Sequence, residues 1–553
     1  MSAVTDPFEV RRAASATGLL RTFNEIGVLS AADFHVAARL GELAGEESDA
    51  VRLAVALAVR GPRLGHVFVD LATIRDTASV ESDEPVDLSA LPWPDVGDWL
   101  RALGDSALVA LGEDQSADAK PLRLLGSRLY LDRYWREERS VADDLNELAA
   151  SGRLEVIAGG PGTGKTTRVA RIVASLIEQA AADGVRAPLI ALAAPTGKAA
   201  ARLEEAVNDE TVGPRASTLH RLLGWRPGSH SRFAHDRANR LPHDVVIVDE
   251  TSMVSLSLMA RLVEAVRPEA RLILVGDPGQ LTSIEAGVVL GDIVASNVGG
   301  IVVLERVHRY GGGIAALANA IRDGDADEAV AALGAAPGEV TWIPVDVHES
   351  EAGVELVRDR AVAAGAEVAG AARRGAADEA LAALGRFRLL CAHRRGPYGV
   401  SEWSSRVMAW LPVELPDLDV EQRDFVGRPL LVTENDYELG LYNGDTGVIV
   451  QRASGQASAA FERGGELLHF SPLRLGAVDT VYAMTVHKSQ GSQFDTAAVL
   501  LPASGSRILT RELLYTAVTR ARRELILVGS EDAVRRAVER PVARASGLAE
   551  RLR

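Results

Sequence analysis

Residues 156–167 read Val-Ile-Ala-Gly-Gly-Pro-Gly-Thr-Gly-Lys-Thr-Thr, an apolar run that breaks into a glycine-rich turn. Gly159, Gly164, Lys165 and Thr166 fill the fixed positions of G-x-x-x-x-G-K-[ST]. Gly160, Pro161, Gly162 and Thr163 lie between them, and Thr167 follows. This spacing works only between a strand and a helix, so it constrains the fold more than any other stretch. Glycines let backbone N–H groups turn inward around phosphates; the lysine adds a point charge, and the Thr166 hydroxyl suits Mg²⁺. The apolar run before it and the helical pattern of residues 169–181 supply that context. Of the 60 lysines and arginines, only Lys120, Lys165, Lys198 and Lys488 are lysine. Three of the four fall in segments that read as nucleotide or strand contacts. Arginine's planar fork replaces a compact ammonium poorly inside a phosphate loop.

At 553 residues the chain is expected to hold three or four domains. The longest apolar candidate for a membrane span, residues 53–59, is short and closed by Arg52 and Arg60. Residues 1–9 lack a basic start and apolar core, so no signal peptide is expected. Cys391 is the only cysteine, which excludes an intrachain disulfide, and no Cys/His cluster has zinc spacing. A reducing cytoplasm is the expected compartment. A formal charge of −16 excludes a uniformly basic coat but permits a local basic channel.

Residues 1–145 read as a mainly helical first unit, with helical spacing over 31–57 and a strand pair around Gly126. Asp118-Ala-Lys120 matches a fragment of metal-dependent nuclease sites, but its polar surroundings read as a solvated loop. From 146 to 298, strands at 154–158, 189–193, 245–248 and 272–275 mostly end in loops rich in Gly, Pro, Thr or acid. That is the pattern of a parallel α/β sheet with its site at the strands' carboxyl ends. A second α/β unit is expected over 299–412 and 480–553, with strands near 302–304, 388–391, 497–501 and 525–528. Alanine-rich residues 354–384 read as surface helix. Residues 413–479 interrupt this unit with short strands and turns. Asn443-Gly444 there signals a hairpin, and a small inserted β-barrel is expected.

A second nucleotide signature is Asp244-Val-Val-Ile-Val-Asp249-Glu250. Asp249 suits Mg²⁺, and Glu250 suits the proton of an attacking water. In Gly276-Asp277-Pro-Gly-Gln280-Leu281, Gln280 is placed to reach a γ-phosphate. Arg309 and Arg520 are the expected charge-stabilising fingers, delivered from a second domain to the transferring phosphoryl group. Three further segments read as phosphate contacts to a nucleic-acid strand. They hold Pro195, Thr196 and Lys198; Thr218 and His220; and Thr485, His487 and Lys488. The alternative for Thr196 is a helix N-cap, and for the two histidines a packed imidazole.

In this order, the motifs resemble the superfamily 1 DNA helicases, over nearly the whole chain. Residues 26–33, 129–135 and 440–445 resemble most closely the RecD family, the alpha subunits of exodeoxyribonuclease V. That resemblance implies an α/β architecture of two RecA-like P-loop domains, a helical N-terminal docking domain and an SH3-like barrel. It implies an ATP- and Mg²⁺-dependent 5′→3′ motor on single-stranded DNA at duplex ends, within a heterotrimer. The partners are RecB-like and RecC-like subunits, of which the RecB-like one carries the nuclease. It places Gly491 and Gln493 at the nucleotide. Gln493 stands where relatives often carry glutamate, and it can hydrogen-bond a ribose without charge. No glutamine between Trp135 and Glu155 occupies the relatives' adenine-reading position, and Thr282 replaces a common proline. A standalone helicase of the same superfamily would carry a longer N-terminal extension. A P-loop switch would have no use for the segments around Gln280, Thr485 and Arg520.

Overall fold

The computed structural model describes residues 12–80, 87–114, 120–208, 213–225, 233–304, 312–350, 353–436, 438–463 and 465–552. Helices Gly18–Glu25, Ala31–Ala44 and Asp49–Arg60 open the chain. The helical pattern expected over 31–57 splits in two. Gly45 takes a left-handed φ of 65°, and Ser48 caps the next helix by accepting from the Val51 N–H. Phe23, Leu53, Leu57 and Trp99 fill the core of this unit.

Beside these helices, β1 (Phe68–Asp70), β2 (Val109–Leu111), β3 (Leu122–Leu125) and β4 (Arg128–Leu131) form a small sheet in the order β1-β4-β3-β2. Its β3–β4 pair is the antiparallel pair expected around Gly126. β4 runs into helix Asp132–Ala150. There Trp135 is fully buried, with the Arg123 guanidinium 3.8 Å from its ring centroid. Arg123 also donates to Asp132 and to the Gly112 and Asp114 carbonyls. Tyr130 is buried as well, so this aromatic signature is core and Tyr134 alone stays partly exposed.

The first large sheet contains β5 (Leu154–Gly159), β6 (Ile190–Ala194), β7 (Ala216–Thr218), β8 (Val245–Val248), β9 (Arg271–Gly276) and β10 (Ile301–Leu304). Its order is β10-β5-β9-β8-β6-β7, parallel throughout. Core clusters lie on both faces, which is why its strands read as unbroken apolar runs. Residues 302–304 were expected in the second unit. They form the edge of this sheet instead, because β10 pairs with β5 from Ile301↔Val156 to Leu304↔Gly159.

The second large sheet begins with β11 (Val340–Ile343) and β12 (Phe387–Cys391). The chain then leaves it for β13 (Pro429–Val432), β14 (Thr446–Gln451), β15 (Ala457–Arg463), β16 (Glu466–Phe470) and β17 (Val478–Thr480). It returns as β18 (Ala483–Thr485), β19 (Phe494–Leu500) and β20 (Ala521–Val528). The parallel order is β11-β20-β19-β12-β18. β11 and β18 carried no sequence signal as strands, one being a short edge and the other three residues long.

The insertion is an antiparallel meander, β16-β15-β14-β13-β17. Asn443-Gly444 does not join two paired strands directly, which corrects the simple hairpin reading. It sits in a tight turn, the Asp445 N–H donating to the Tyr442 carbonyl, inside the longer connection 433–445. The alanine-rich residues are helices Val354–Arg373 and Ala377–Leu384. They are not filler: Ala371, Ala372, Ala380 and Ala383 pack against Val448, Val450 and Ala460 of the insertion. Small side chains let helix and sheet approach closely there. Among the described residues, no helix is long and apolar enough to cross a membrane.

Candidate nucleotide site and strand interface

Four strand ends of the first sheet place the nucleotide motifs along one edge. The glycine loop follows β5, Asp249 follows β8, Asp277 and Gln280 follow β9, and Thr196 follows β6. Gly162 and Gly164 take φ of 81° and 83°, conformations costly to any residue with a Cβ. Helix Lys165–Ala182 then begins with no side-chain cap. Its free first-turn N–H groups and dipole suit an anion. Lys165 Nζ donates to the Gly159 and Gly160 carbonyls at 2.6 and 2.9 Å, and a phosphate oxygen would be a stronger, charged acceptor in its place. Pro161 and Thr163 are buried, and Thr163 Oγ1 donates to the Gly160 carbonyl at 2.8 Å. Thr166 is half-buried at the start of the helix, whereas Thr167 is exposed on its surface. These residues fit a polyphosphate with a divalent cation.

Asp249 is buried, and its Oδ1 accepts the Glu250 N–H at 2.8 Å. Burial, then the neighbouring Glu250 charge, push its carboxyl well above the ordinary range, while Lys165 opposes them. A buried carboxylate with raised proton affinity is suited to exchange that proton for a cation. Glu250 is the only non-glycine residue with positive φ among the described ones, at 51°. Such a conformation costs about 1–3 kcal/mol and persists where the surroundings enforce it. Asp277 is buried, which raises its carboxyl too. It accepts from the Gly279 N–H and from Gln280 Nε2 at 3.0 and 3.1 Å. Gln280 Oε1 is buried and has no hydrogen-bond partner among the described residues.

The second sheet closes over this edge. A Cβ at Gly160 would stand 2.9 Å from the Tyr515 hydroxyl. The Leu281 N–H donates to Thr516 Oγ1 at 2.8 Å, and Gln490 Nε2 to the Leu281 carbonyl at 2.7 Å. Arg520 follows helix Arg511–Val518 and is buried. Its guanidinium donates to the Thr516 and Ser492 carbonyls and to Thr519 Oγ1, all neutral oxygens. Gly491, with φ of 69°, is bonded through its carbonyl to Arg202 of the first sheet's helix Gly197–Asn208. Gln493 Oε1 accepts from Arg522 at 3.5 Å. Arg309 lies outside the described residues.

A cavity of about 950 Å³ lies between helix Gly197–Asn208, residues 215–225 and the insertion. Thr218 and His220 line it, together with Gly197, Trp225, Asn435, Tyr442 and Arg463. Thr218 Oγ1 also caps helix Leu219–Leu222, and the His220 ring lies 5.9 Å from Phe233. The Arg463 guanidinium sits 4.6 Å from the Tyr442 ring, which packs on Gly197. Pro195, Thr196 and Lys198 surround Gly197 in sequence, and Thr196 Oγ1 accepts from Ala199 as an N-cap. Thr485, His487 and Lys488 are not among the lining residues. Thr485 Oγ1 accepts from the Lys488 N–H, and burial with Arg544 and Arg394 nearby holds His487 below its ordinary value, hence neutral. Sequence reasoning missed Trp225, Asn435 and Arg463. Arg202, Tyr442 and Tyr515 lie in the strings 194–202, 440–445 and 515–520, which were read only as a likeness, with no role given to those residues.

If Lys198 contacts a strand phosphate as expected, that contact carries a pH dependence, although Lys198 does not line the cavity. Burial, then Arg202 and Arg388, lower its ammonium to about 8, with Asp445 opposing. The lowered group loses its charge as pH rises through that value. A bound phosphate favours the charged form, so strand binding takes up a proton above it. Fluorescence anisotropy with an oligothymidylate should show affinity falling above about pH 8, by up to about tenfold per pH unit. Lys198→Gln should flatten the profile; an equal slope in that variant would assign the titration elsewhere.

A family model described as an AAA domain matches residues 142–344, and one described as a UvrD-like helicase C-terminal domain matches 480–528. Two parallel sheets facing each other across a phosphate loop define a P-loop ATPase of the DNA-helicase class. A third model, for the N-terminal domain of RecBCD enzyme subunit RecD, matches residues 25–130. The RecBCD enzyme subunit RecD of Mycolicibacterium smegmatis is 50% identical over 576 residues, 97% of this chain and 99% of the relative. With these matches the chain belongs to the family of RecBCD enzyme subunit RecD, and it is a RecBCD-type helicase subunit. The Mycobacterium tuberculosis subunit is 47% identical, covering 98% of each chain. An ATP-dependent RecD2 DNA helicase of Deinococcus radiodurans is 34% identical over 75% of this chain and 52% of its own length.

Proposed function

We propose that this chain is the 5′→3′ motor of a RecBCD-type exodeoxyribonuclease V, translocating on single-stranded DNA from duplex ends in double-strand break repair and recombination. Gly159–Gly164, Lys165 and Thr167 take the phosphates; Thr166 and Asp249 hold Mg²⁺; Gly491 and Gln493 lie toward the ribose. Glu250 takes the proton of the attacking water, Gln280 reports the γ-phosphate, and Arg309 and Arg520 neutralise the charge that develops on it. The cation, when bound, shields the phosphate charge. Pro195, Thr196, Lys198, Thr218, His220, Thr485, His487 and Lys488 track the strand backbone. Residues 1–145 dock to partners, 146–304 and 312–412 with 480–553 are the motor domains, with β10 on the first, and 413–479 is an SH3-like barrel. The working compartment is the cytoplasm. Among the described residues we read no nuclease site: Lys120 Nζ donates to the Val109 carbonyl at 2.9 Å, and Asp118 lies outside them.

The observation that carries this reading is the convergence of Lys165, Asp249, Asp277 and Gln280 on one sheet edge under Tyr515. The partners are RecB-like and RecC-like subunits. Ile26, Val36 and Leu43 are large apolar side chains left exposed on the first unit, and Val36 and Leu43 share one helix face seven residues apart. Purified chain should hydrolyse ATP faster with single-stranded DNA. Val36→Asp with Leu43→Asp should leave that ATPase within about twofold of wild type while blocking co-purification with the two partners. Stoichiometric assembly of the double variant would move the docking surface to the motor domains.

A further inference from the structure

Residues 541–552 leave the second sheet's unit and end on the first. On the near side, the Val542 N–H donates to Glu512 Oε2 at 2.9 Å. On the far side, Gly547 N–H and Arg551 Nε donate to the buried Glu138, and Ser546 Oγ to Asp292 Oδ2 at 2.6 Å. Leu548 and Leu552 are buried in a core that packs on the first large sheet. The segment therefore ties both motor sheets together.

Arg544 sits midway along this tie. It donates to the Glu285 and Gly287 carbonyls at 3.0 and 3.2 Å. Those carbonyls end the loop that starts at Gln280 and continues through Ser283, whose N–H is bonded to the Ser252 carbonyl beyond Glu250. The Arg544 guanidinium also packs on Gly65, where a Cβ would meet it at 2.7 Å. The Gly287 N–H donates back to the Gly65 carbonyl at 3.0 Å, and the next residue of the tie, Ala545, donates to His66 Nδ1. One side chain thus joins three segments: the docking unit, the loop beyond Gln280, and the tie from the second sheet.

We propose that Arg544 is a positioning residue that sets the loop following Gln280 according to the placement of the docking unit and the second motor sheet. Its side chain is not among the lining of the cavity, and it bonds to the loop beyond Gln280 instead. It fixes where Leu281, and hence the Leu281–Thr516 contact between the sheets, sits. The inference rests on the reading of Gln280 given above and deepens it: contacts at the docking unit reach the phosphate-sensing loop through one guanidinium and two backbone carbonyls.

The test is the full chain carrying Arg544→Ala or Arg544→Lys, assayed for ATPase with and without oligothymidylate, with melting temperature alongside. Arg544→Ala should lower DNA-stimulated kcat about tenfold while KM for ATP and DNA-free turnover stay within about twofold. Arg544→Lys, which can reach one carbonyl, should recover part of the stimulation. Hydrogen exchange at Gly287 should speed up in the alanine variant; this readout holds even if turnover is too low to measure. Unchanged stimulation with unchanged Gly287 exchange would overturn the proposal, as would a lowered melting temperature with the stimulated-to-basal ratio intact. If wild-type chain shows no DNA stimulation, the reading of Gln280 fails first and this inference falls with it.

Discussion

Lys165→Ala and Glu250→Gln both bring DNA-stimulated ATP hydrolysis to about 10⁻³ of wild type or less, yet only the first loses nucleotide affinity. Lys165 bonds inside the glycine loop, at the Gly159 and Gly160 carbonyls, where the β- and γ-phosphates would be held. Its loss removes a charge-assisted contact worth about 1.5–3 kcal/mol, or roughly ten- to a hundredfold in affinity. Glu250 stands after β8, on a different strand end from the loop that follows β5. Glutamine keeps its size and tolerates its left-handed backbone no worse. Fluorescent nucleotide titration beside steady-state hydrolysis separates the two. Equal affinity losses would mean that Glu250 supports the cradle and does not serve the attacking water.

Arg520→Ala lowers kcat by about 10³ while changing nucleotide affinity far less, as a group acting on transition-state charge must. Arg520 also satisfies two buried carbonyls, those of Thr516 and Ser492, so the alanine variant is expected to melt earlier as well. Arg520→Lys separates these effects. It keeps a cation in the same place but loses the planar fork, and should melt near wild type with kcat still about a hundredfold down. A lysine variant with normal turnover would reduce Arg520 to a structural tie between helix Arg511–Val518 and residue 492.

Much of the nucleotide edge was legible because each motif is local: a strand, a tight turn and a functional side chain within ten residues. The loop after β5, the acids after β8 and the glutamine after β9 needed only strand periodicity and glycine placement. What failed was pairing. Residues 302–304 are apolar enough for either sheet. Only the register with β5 decides between them, and that is a contact across the loop of residues that separates them in sequence. The cavity proposed as strand interface was half legible for a similar reason. Thr218 and His220 announce themselves by residue type, but Tyr442, Asn435 and Arg463 come from an insertion whose short strands and turns carry no motif that points to a partner. The alanine-rich helices gave no clue that they carry that insertion, because alanine marks close packing without naming the partner.

The insertion is spliced between β12 and β18, which are neighbours in the second sheet, and rests on helices of that same unit. Tyr442 and Arg463 therefore belong to the second sheet's unit, and Gly197, Thr218 and His220 to the first's. The opposing walls of the 950 Å³ cavity come from different motor sheets. The two units that meet at Gly160 and Tyr515 meet again at Gly197 and Tyr442, so the nucleotide edge and the cavity are two stretches of one seam.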